Sequence, residues 1–453
     1  MNLPEEFIEL LKNDLGETKA SEVISDMAKE PSVAIRINPS KIEGDKIAEM
    51  LDHLPIKGNI PHCPAGYFLS ERPSFTFDPV FHSGGYYVQD ASSMIIEKLL
   101  EFIPSQNEEI KEERGLRALD LCAAPGGKST HLISLLEGYK NSIIVCNEVI
   151  KSRATILAEN IAKWGYPNVC VTNNDPSEFT SLEKYFDIIL VDAPCSGEGM
   201  FRKDERAIQE WSLENVKLCA QRQRRIVADI WPALTDGGVI AYSTCTLNRM
   251  EDEENVEWIC NELGGKLLYQ RRFYPGGEEA GEGLFFALIK KDGEYTQREE
   301  PRQKRQNKNL TKFTSQIEFI GEQYTLLKKR DILKGYPKDL AEEMIAIEGK
   351  LRVLLSGVAV AEFIESKRGE PIIIPHTDLI QSKAYKKGSL PEYEISLQQA
   401  IAFLKKEPMV LPPDSKKGYI LLTYKSLPLG LVKNLGNRTN NLWPNSRRIL
   451  KGG

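Results

Sequence analysis

The chain has 453 residues, of which 41% are hydrophobic and 27% charged, with a formal net charge of −6. This is the composition of an ordinary soluble protein with room for about three domains, and the acidic balance excludes a surface built wholly for nucleic acid. No apolar run is long enough to span a bilayer, Met1 to Glu6 lacks the regions of a signal peptide, and the eight cysteines include no C-x-x-C pair, so the expectation is a cytoplasmic protein with no membrane, disulfide framework or metal.

Residues 1–90 read as a small α/β module. Leu3 to Leu15 and Thr18 to Lys29 have helical spacing, Ser32 to Ile37 reads as a strand closed by Asn38-Pro39, and Lys46 to Leu54 reads as a helix. Gln89-Asp90-Ala91-Ser92-Ser93 opens a further helix over Met94 to Phe102, with Asp90 or Ser92 able to cap it. A charged loop follows, from Gln106 to Arg114. From Arg117 onward strands and helices alternate. Strands are expected at Ala118–Leu121, Ser142–Cys146, Val169–Thr172, Phe186–Val191 and Gly238–Tyr242, with helices at Lys151–Trp164, Leu213–Trp231 and Glu251–Leu263. Leu267–Arg272 and Leu284–Ile289 read as a closing antiparallel pair. This alternation predicts an open, doubly wound α/β sheet, in which ligands bind beyond the carboxyl ends of the strands.

The stretch from Ala118 to His131, ALDLCAAPGGKSTH, passes from strand through a glycine turn into a helix. Backbone N–H groups at such a helix start face a ligand, and glycine lets the ligand approach. The P-loop pattern needs glycine six positions before the lysine, where Cys122 stands, and the three-glycine dinucleotide pattern also fails. A short turn remains, suited either to a ligand without a pyrophosphate, such as S-adenosylmethionine (SAM), or to a purely structural role. Glu148, at the end of the second strand and 21 residues beyond Gly127, can hold the two hydroxyls of an adenosine ribose. Asp175, at the end of the third strand, can meet the adenine amino group. Both acids could instead cap helices, the lesser reading of the two.

Asp192-Ala193-Pro194-Cys195 and Thr244-Cys245-Thr246 end the next two strands. A cysteine behind a strand is usually buried and inert, but two at one ligand edge, one of them following an aspartate, suit a particular reaction. Carbon 5 of cytosine becomes nucleophilic when a thiolate adds at carbon 6, and an acid near nitrogen 3 favours that addition. Spacing does not choose which cysteine attacks.

The runs Asp120 to Lys128, Asp192 to Gly199 and Ser243 to Thr246, with Gln89 to Ser93 before them, resemble the motifs of the NOL/NOP/Sun family of RNA cytosine-5 methyltransferases over about residues 36–290. The resemblance implies a Rossmann-like SAM-dependent methyltransferase core, with Cys245 as nucleophile and Cys195 assisting product release. It also implies that Asp192 contacts the base, with Lys128 near the cofactor and Asp192. Cys122, Ala123, Ala124, Pro125, Gly126, Gly127, Lys128, Glu148, Arg153, Asp175 and Asp192 would form the SAM pocket.

The tail, from Pro413 to Gly453, carries eight bases against the single acid Asp414, either a polyanion-binding face or a merely solvated one. Lys417 to Leu422 and Pro428 to Arg448 look like the C-terminal PUA-like module of bacterial RsmF-type ribosomal RNA enzymes. Asn440-Asn441-Leu442-Trp443-Pro444 partly replaces that group's lysine-asparagine-aromatic-proline run. The resemblance implies an N-terminal RNA-binding module (1–90), the methyltransferase domain (91–291), a linker (292–314), an intermediate α/β module (315–385) and a PUA-like RNA-binding domain (386–453). It implies a monomer acting on a cytosine in the decoding region of small-subunit rRNA, as free RNA or as the small ribosomal subunit. A tRNA acceptor and an inactive RNA-binding assembly factor are the rival readings.

Overall fold

The computed structural model describes residues 2–103, 114–276, 281–295, 311–312, 317–365 and 371–450. Most of the charged loop expected at 106–114 and most of the linker expected at 292–314 lie outside the described residues. Among the described residues, no helix is long and apolar enough to cross a membrane.

Strands β1 (Val33–Ile37), β2 (Ile56–Ile60), β3 (Cys63–Leu69) and β4 (Tyr86–Val88) form an N-terminal sheet in the order β2-β3-β1-β4. The two helices before it, Glu5–Leu15 and Glu17–Met27, pack elsewhere. Their Phe7, Leu11, Val23 and Met27 cluster with Phe201, Trp211, Val216 and Leu247 of the following region. The helix expected over Lys46–Leu54 shrinks to one turn, Ile47–Met50, behind a short 3-10 turn. The helix expected over Met94–Phe102 is a 3-10 helix, Ser92–Glu101, and Asp90 accepts the Ser92 N–H at 3.1 Å just before it. Its Ile95, Ile96 and Leu99 pack on the central sheet as the apolar spacing required.

The central sheet contains β5 (Arg117–Asp120), β6 (Ile143–Asn147), β7 (Val169–Thr172), β8 (Phe186–Asp192), β9 (Leu234–Thr244), β10 (Gly265–Phe273) and β11 (Leu284–Lys291). The five strands β5 to β9 pair in parallel, β11 pairs antiparallel with β9, and β10 closes the edge antiparallel to β11. Both faces are covered. Leu119, Val145, Ile189 and Tyr242 belong to one core cluster, while their chain neighbours Ala118, Ile144, Ile188 and Ala241 belong to the other. Burial on both sides explains why these strands read as unbroken apolar runs rather than alternating ones.

Beyond this region come β12 (Thr311–Lys312), β13 (Tyr324–Lys329), β14 (Ile332–Pro337), β15 (Val353–Ser356), β16 (Val358–Ile364) and β17 (Ile372–Pro375). Five of them form their own sheet, but β15 joins the central one antiparallel to β7, giving the order β10-β11-β9-β8-β5-β6-β7-β15. Arg117 of β5 is bonded to Glu343 just before β15, and both side chains are buried. The segment expected as an intermediate module therefore completes the sheet that carries the strand-end motifs.

The last sheet, β18 (Glu392–Glu394), β19 (Gly418–Tyr424), β20 (Leu427–Asn434) and β21 (Thr439–Asn441), packs against the first. Leu427 is buried among Ile35, Ile37, Val80 and Tyr86. Lys425 donates to the carbonyls of Glu49 and Met50 at 3.1 and 3.2 Å and also pairs with Asp52.

Candidate active site

The register of the central strands brings their carboxyl ends level. Asp120 lies opposite Cys146 and Leu190, Asn147 opposite Thr172, and Asp192 opposite Ser243. A pocket of about 760 Å³ opens at this edge, and Cys122, Ala124, Glu148, Arg153, Asp175, Asp192, Cys195 and Cys245 all line it. Ala123, Pro125, Gly127 and Lys128 line a second cavity of about 190 Å³, which shares Cys122, Ala124 and Asp192 with the first. Gly126 lines neither. Its φ of 115° makes the turn into the helix Gly127–Leu135, and a Cβ there would approach Leu157 Cδ1 to 3.2 Å.

The glycine turn is held from the helix Lys151–Trp164. Arg153 donates to the Ala124 carbonyl at 2.9 Å and Asn160 to the Pro125 carbonyl at 2.8 Å. Inside the turn, Ser129 Oγ donates to Asp120 Oδ2 at 2.6 Å, and burial pushes the Asp120 carboxyl up to about 7. Glu148 is 3% exposed. It accepts the Ile150 N–H at 2.9 Å and lies 3.5 Å from Arg153. Asp175 does what its alternative reading expected as well as lining the pocket. It caps the 3-10 helix Pro176–Leu182, accepting from Ser177 N at 3.1 Å and Ser177 Oγ at 2.7 Å. These bonds hold its carboxyl below the usual range.

The two cysteines meet. Cys195 Sγ and Cys245 Sγ are 2.9 Å apart, both as free thiols. The bond to Cys245, together with burial, pushes the Cys195 thiol well above its ordinary value. Beside them Asp192 Oδ1 accepts from Lys128 Nζ and from Ser243 Oγ, each at 2.8 Å. Burial alone would lower the Lys128 pKa, but the Asp192 charge and hydrogen bond raise it above the ordinary value. The arrangement offers a thiol pair, a carboxylate and an ammonium around one point at the pocket's edge.

Sequence reasoning gave no role to the residues that hold this arrangement together. Glu198, 1% exposed, accepts from Thr246 Oγ1 (2.8 Å), Leu247 N (2.7 Å), Trp211 Nε1 (2.9 Å) and Asn248 Nδ2 (3.0 Å). Glu251 accepts from Ser196 N (3.0 Å), Gln223 Nε2 (2.7 Å) and Asn248 Nδ2 (2.9 Å). These two buried acids tie the loop carrying Cys195 to the loop carrying Cys245. Gly199 lets the loops touch: its N–H donates to the Cys245 carbonyl at 2.9 Å, and a Cβ there would sit 2.5 Å from the Gly283 carbonyl oxygen. The acids at 198 and 251 were the available signal, one inside the Asp192 to Gly199 run and the other six residues after Cys245. At the other strand ends Asn147 plays the same part, donating to the carbonyls of Leu121 (3.1 Å) and Asn174 (2.9 Å).

Comparison with known proteins agrees along the chain. Residues 107–290 match the family model of the 16S rRNA methyltransferase RsmB/F. Residues 3–91 match that of the N-terminal domain of 16S rRNA methyltransferase RsmF, and residues 390–449 that of the methyltransferase RsmF PUA domain. A relative from Shewanella loihica named ribosomal RNA small subunit methyltransferase F is 29% identical, covering 98% of this chain and 95% of that protein. Among solved structures, a methyltransferase homolog protein from Pyrococcus horikoshii matches with 27% identity and a TM-score of 0.53, covering 64% of this chain and 95% of that one. NSun6 from the same organism, solved with SFG, shares the fold at 23% identity and a TM-score of 0.54, covering 64% of this chain and 98% of that one. With three models of one enzyme type falling in order along most of its length, the chain belongs to the RsmB/F family of 16S rRNA methyltransferases.

Proposed function

We propose that the protein transfers a methyl group from SAM to carbon 5 of a cytosine in the decoding region of 16S rRNA, through a covalent adduct with Cys245. The observation that carries this reading is the 2.9 Å contact of two free thiols beside the Lys128–Asp192 pair, in the pocket that Glu148 also lines. The pocket suits SAM: it offers a buried carboxylate at the end of β6 for the ribose hydroxyls, and Leu121, Ile150 and Pro176 as apolar wall for an adenine. SAM supplies an electrophilic methyl group on a sulfonium.

In this reading Asp192 faces nitrogen 3 of the cytosine and stabilises its protonated form, while Lys128 holds Asp192 in place. Cys245 adds as thiolate to carbon 6, carbon 5 takes the methyl group, and the cofactor leaves as S-adenosylhomocysteine. Loss of the carbon-5 proton and expulsion of the Cys245 thiolate then restore the aromatic ring. Cys195, in contact with Cys245, assists that last step. The test is to map 5-methylcytosine in 16S rRNA from cells with and without the gene, and to measure methyl incorporation by the purified protein into 16S rRNA, 30S subunits and tRNA. A mark confined to tRNA would move the substrate, and no incorporation into any RNA would sink the catalytic reading.

Two expectations follow for binding. Glu148→Ala should weaken SAM binding about 10- to 100-fold, since a charge-assisted acceptor is worth about 1.5–3 kcal/mol. Calorimetry on the folded variant checks this, and unchanged affinity would remove Glu148 from the pocket. The second concerns the basic tail. Lys425 and Arg447 are spent on contacts within the chain, to Asp52 and Asp378. Lys416, Lys417 and Arg438 are exposed, and Lys433 lies over Tyr419. Replacing Lys416, Lys417 and Arg438 together with glutamine should weaken RNA binding and reduce its salt slope by about two, while SAM binding stays unchanged. Deleting the whole tail would be a poorer experiment, because it strips Leu427 from the core around Ile35. An unchanged salt slope in the triple variant would remove these bases from the RNA face.

A further inference from the structure

Three side chains that methyl transfer does not use meet at the seam between the N-terminal sheet and the central one. Cys63 begins β3, Glu97 lies on the 3-10 helix Ser92–Glu101, and His131 lies on the helix that follows the cofactor turn. Cys63 Sγ is 3.4 Å from Glu97 Oε1 and 3.9 Å from His131 Nε2, and Nε2 is 2.9 Å from Oε1. Cys63 and His131 are fully enclosed, and the Glu97 side chain is 20% exposed. A tetrahedral ion bonded at about 2.0–2.3 Å holds its ligand atoms about 3.3–3.7 Å apart, and the three separations bracket that spacing. One sulfur, one imidazole nitrogen and one carboxylate oxygen form a zinc set rather than a magnesium or calcium set. Arg36, whose charge bears on Cys63 and Glu97, donates to Gln89 and Thr130 through Nε and Nη2 at 2.9 and 2.7 Å, while its buried Nη1 has no hydrogen-bond partner among the described residues. His62, next to Cys63 in the chain, is bonded to the Ala91 carbonyl at 2.8 Å.

We propose that Cys63, Glu97 and His131 bind one zinc ion, which pins the N-terminal sheet to the helix that carries Lys128. Coordination forms one bond each from sulfur, oxygen and nitrogen to the ion. The thiol proton leaves to solvent and no electron is transferred. Three protein ligands leave one tetrahedral position for water. The consequence reaches the active site through the chain itself, because His131 lies one turn beyond the first residues of the helix behind the glycine turn.

The test uses the full-length protein, stripped with a chelator and dialysed against zinc chloride. Metal analysis should find about one zinc per chain, and Cys63→Ala and His131→Ala should each lose it. Zinc should also slow alkylation of Cys63, read by mass spectrometry of its peptide, without protecting Cys195 or Cys245. Should either variant fail to fold, cobalt(II) added to the stripped wild type gives the decisive reading. A thiolate-to-metal absorption band saturating near one equivalent, and displaced by zinc, supports the site. No zinc in the wild type, no such band, or zinc retained in both folded variants would overturn it.

Discussion

Replacing Cys245 with alanine is expected to abolish methylation and to leave no covalent protein–RNA complex, whereas Cys195→Ala should attack its RNA and release it slowly. The complex formed by Cys195→Ala should survive denaturing gels and should need SAM to accumulate. The thiols touch at 2.9 Å, so either could reach a base placed between them and Asp192. The choice of Cys245 rests on the family resemblance. The cytosine must leave its helix or come from a single strand to enter a pocket at the strand ends. Without a thiolate on carbon 6, carbon 5 stays too electron-poor to take the methyl group, and no other side chain lining the pocket offers a comparable nucleophile except Cys195 and Cys122. Burial pushes the Cys122 thiol well above its ordinary value, as burial and the bond to Cys245 do for Cys195, which disfavours either thiolate. The double variant should show neither product nor adduct. A stable adduct in Cys245→Ala with an inert Cys195→Ala would exchange the two roles, and normal turnover in both would end the covalent mechanism.

Asp192→Asn should lower methyl transfer about 10²- to 10³-fold, the usual loss when a charge aimed at the reacting group is removed. The amide preserves the shape of the side chain and can still accept from Ser243, which donates at 2.8 Å. It cannot balance the Lys128 ammonium 2.8 Å away, nor stabilise a protonated ring. SAM affinity should change less than about tenfold, because uniform binding and transition-state stabilisation are separate losses. The sharper reading comes from a second background: Asp192→Asn combined with Cys195→Ala should accumulate adduct far more slowly than Cys195→Ala alone. Equal rates of accumulation would show that Asp192 takes no part in the addition step.

The strands were legible because a sheet buried on both faces writes itself as continuous apolar runs, and the motifs were legible because each sits at the end of such a run. The meeting of Cys195 with Cys245 followed from two adjacent parallel strands ending level. What was not legible depends on where distant segments are carried. Glu198 and Glu251 look like surface acids in sequence, and only the packed loops show them buried and saturated with donors. The strand at Val353–Ser356 is a short apolar run like many others, and its place beside β7 shows only in the ladder itself and in the bonds of Arg352 with Asn173 and Asn174. Cys63, Glu97 and His131 are separated by 34 residues or more, so no spacing rule could assemble them. Asp175 was read both as a ligand acceptor and as a cap, and the capping geometry does not decide between them, since the side chain also faces the pocket.

The burial of Leu427 among Ile35, Ile37 and Tyr86 has a consequence for how the protein is made. The N-terminal sheet leaves the ribosome early, but the residue that completes its core is translated on the order of 400 positions later, about 20–80 s at ordinary elongation speeds. Throughout that interval the nascent chain carries an apolar face with no native cover. The first module is therefore finished only when the last sheet is being made, and while it waits it is a natural client for a chaperone that holds exposed apolar surface.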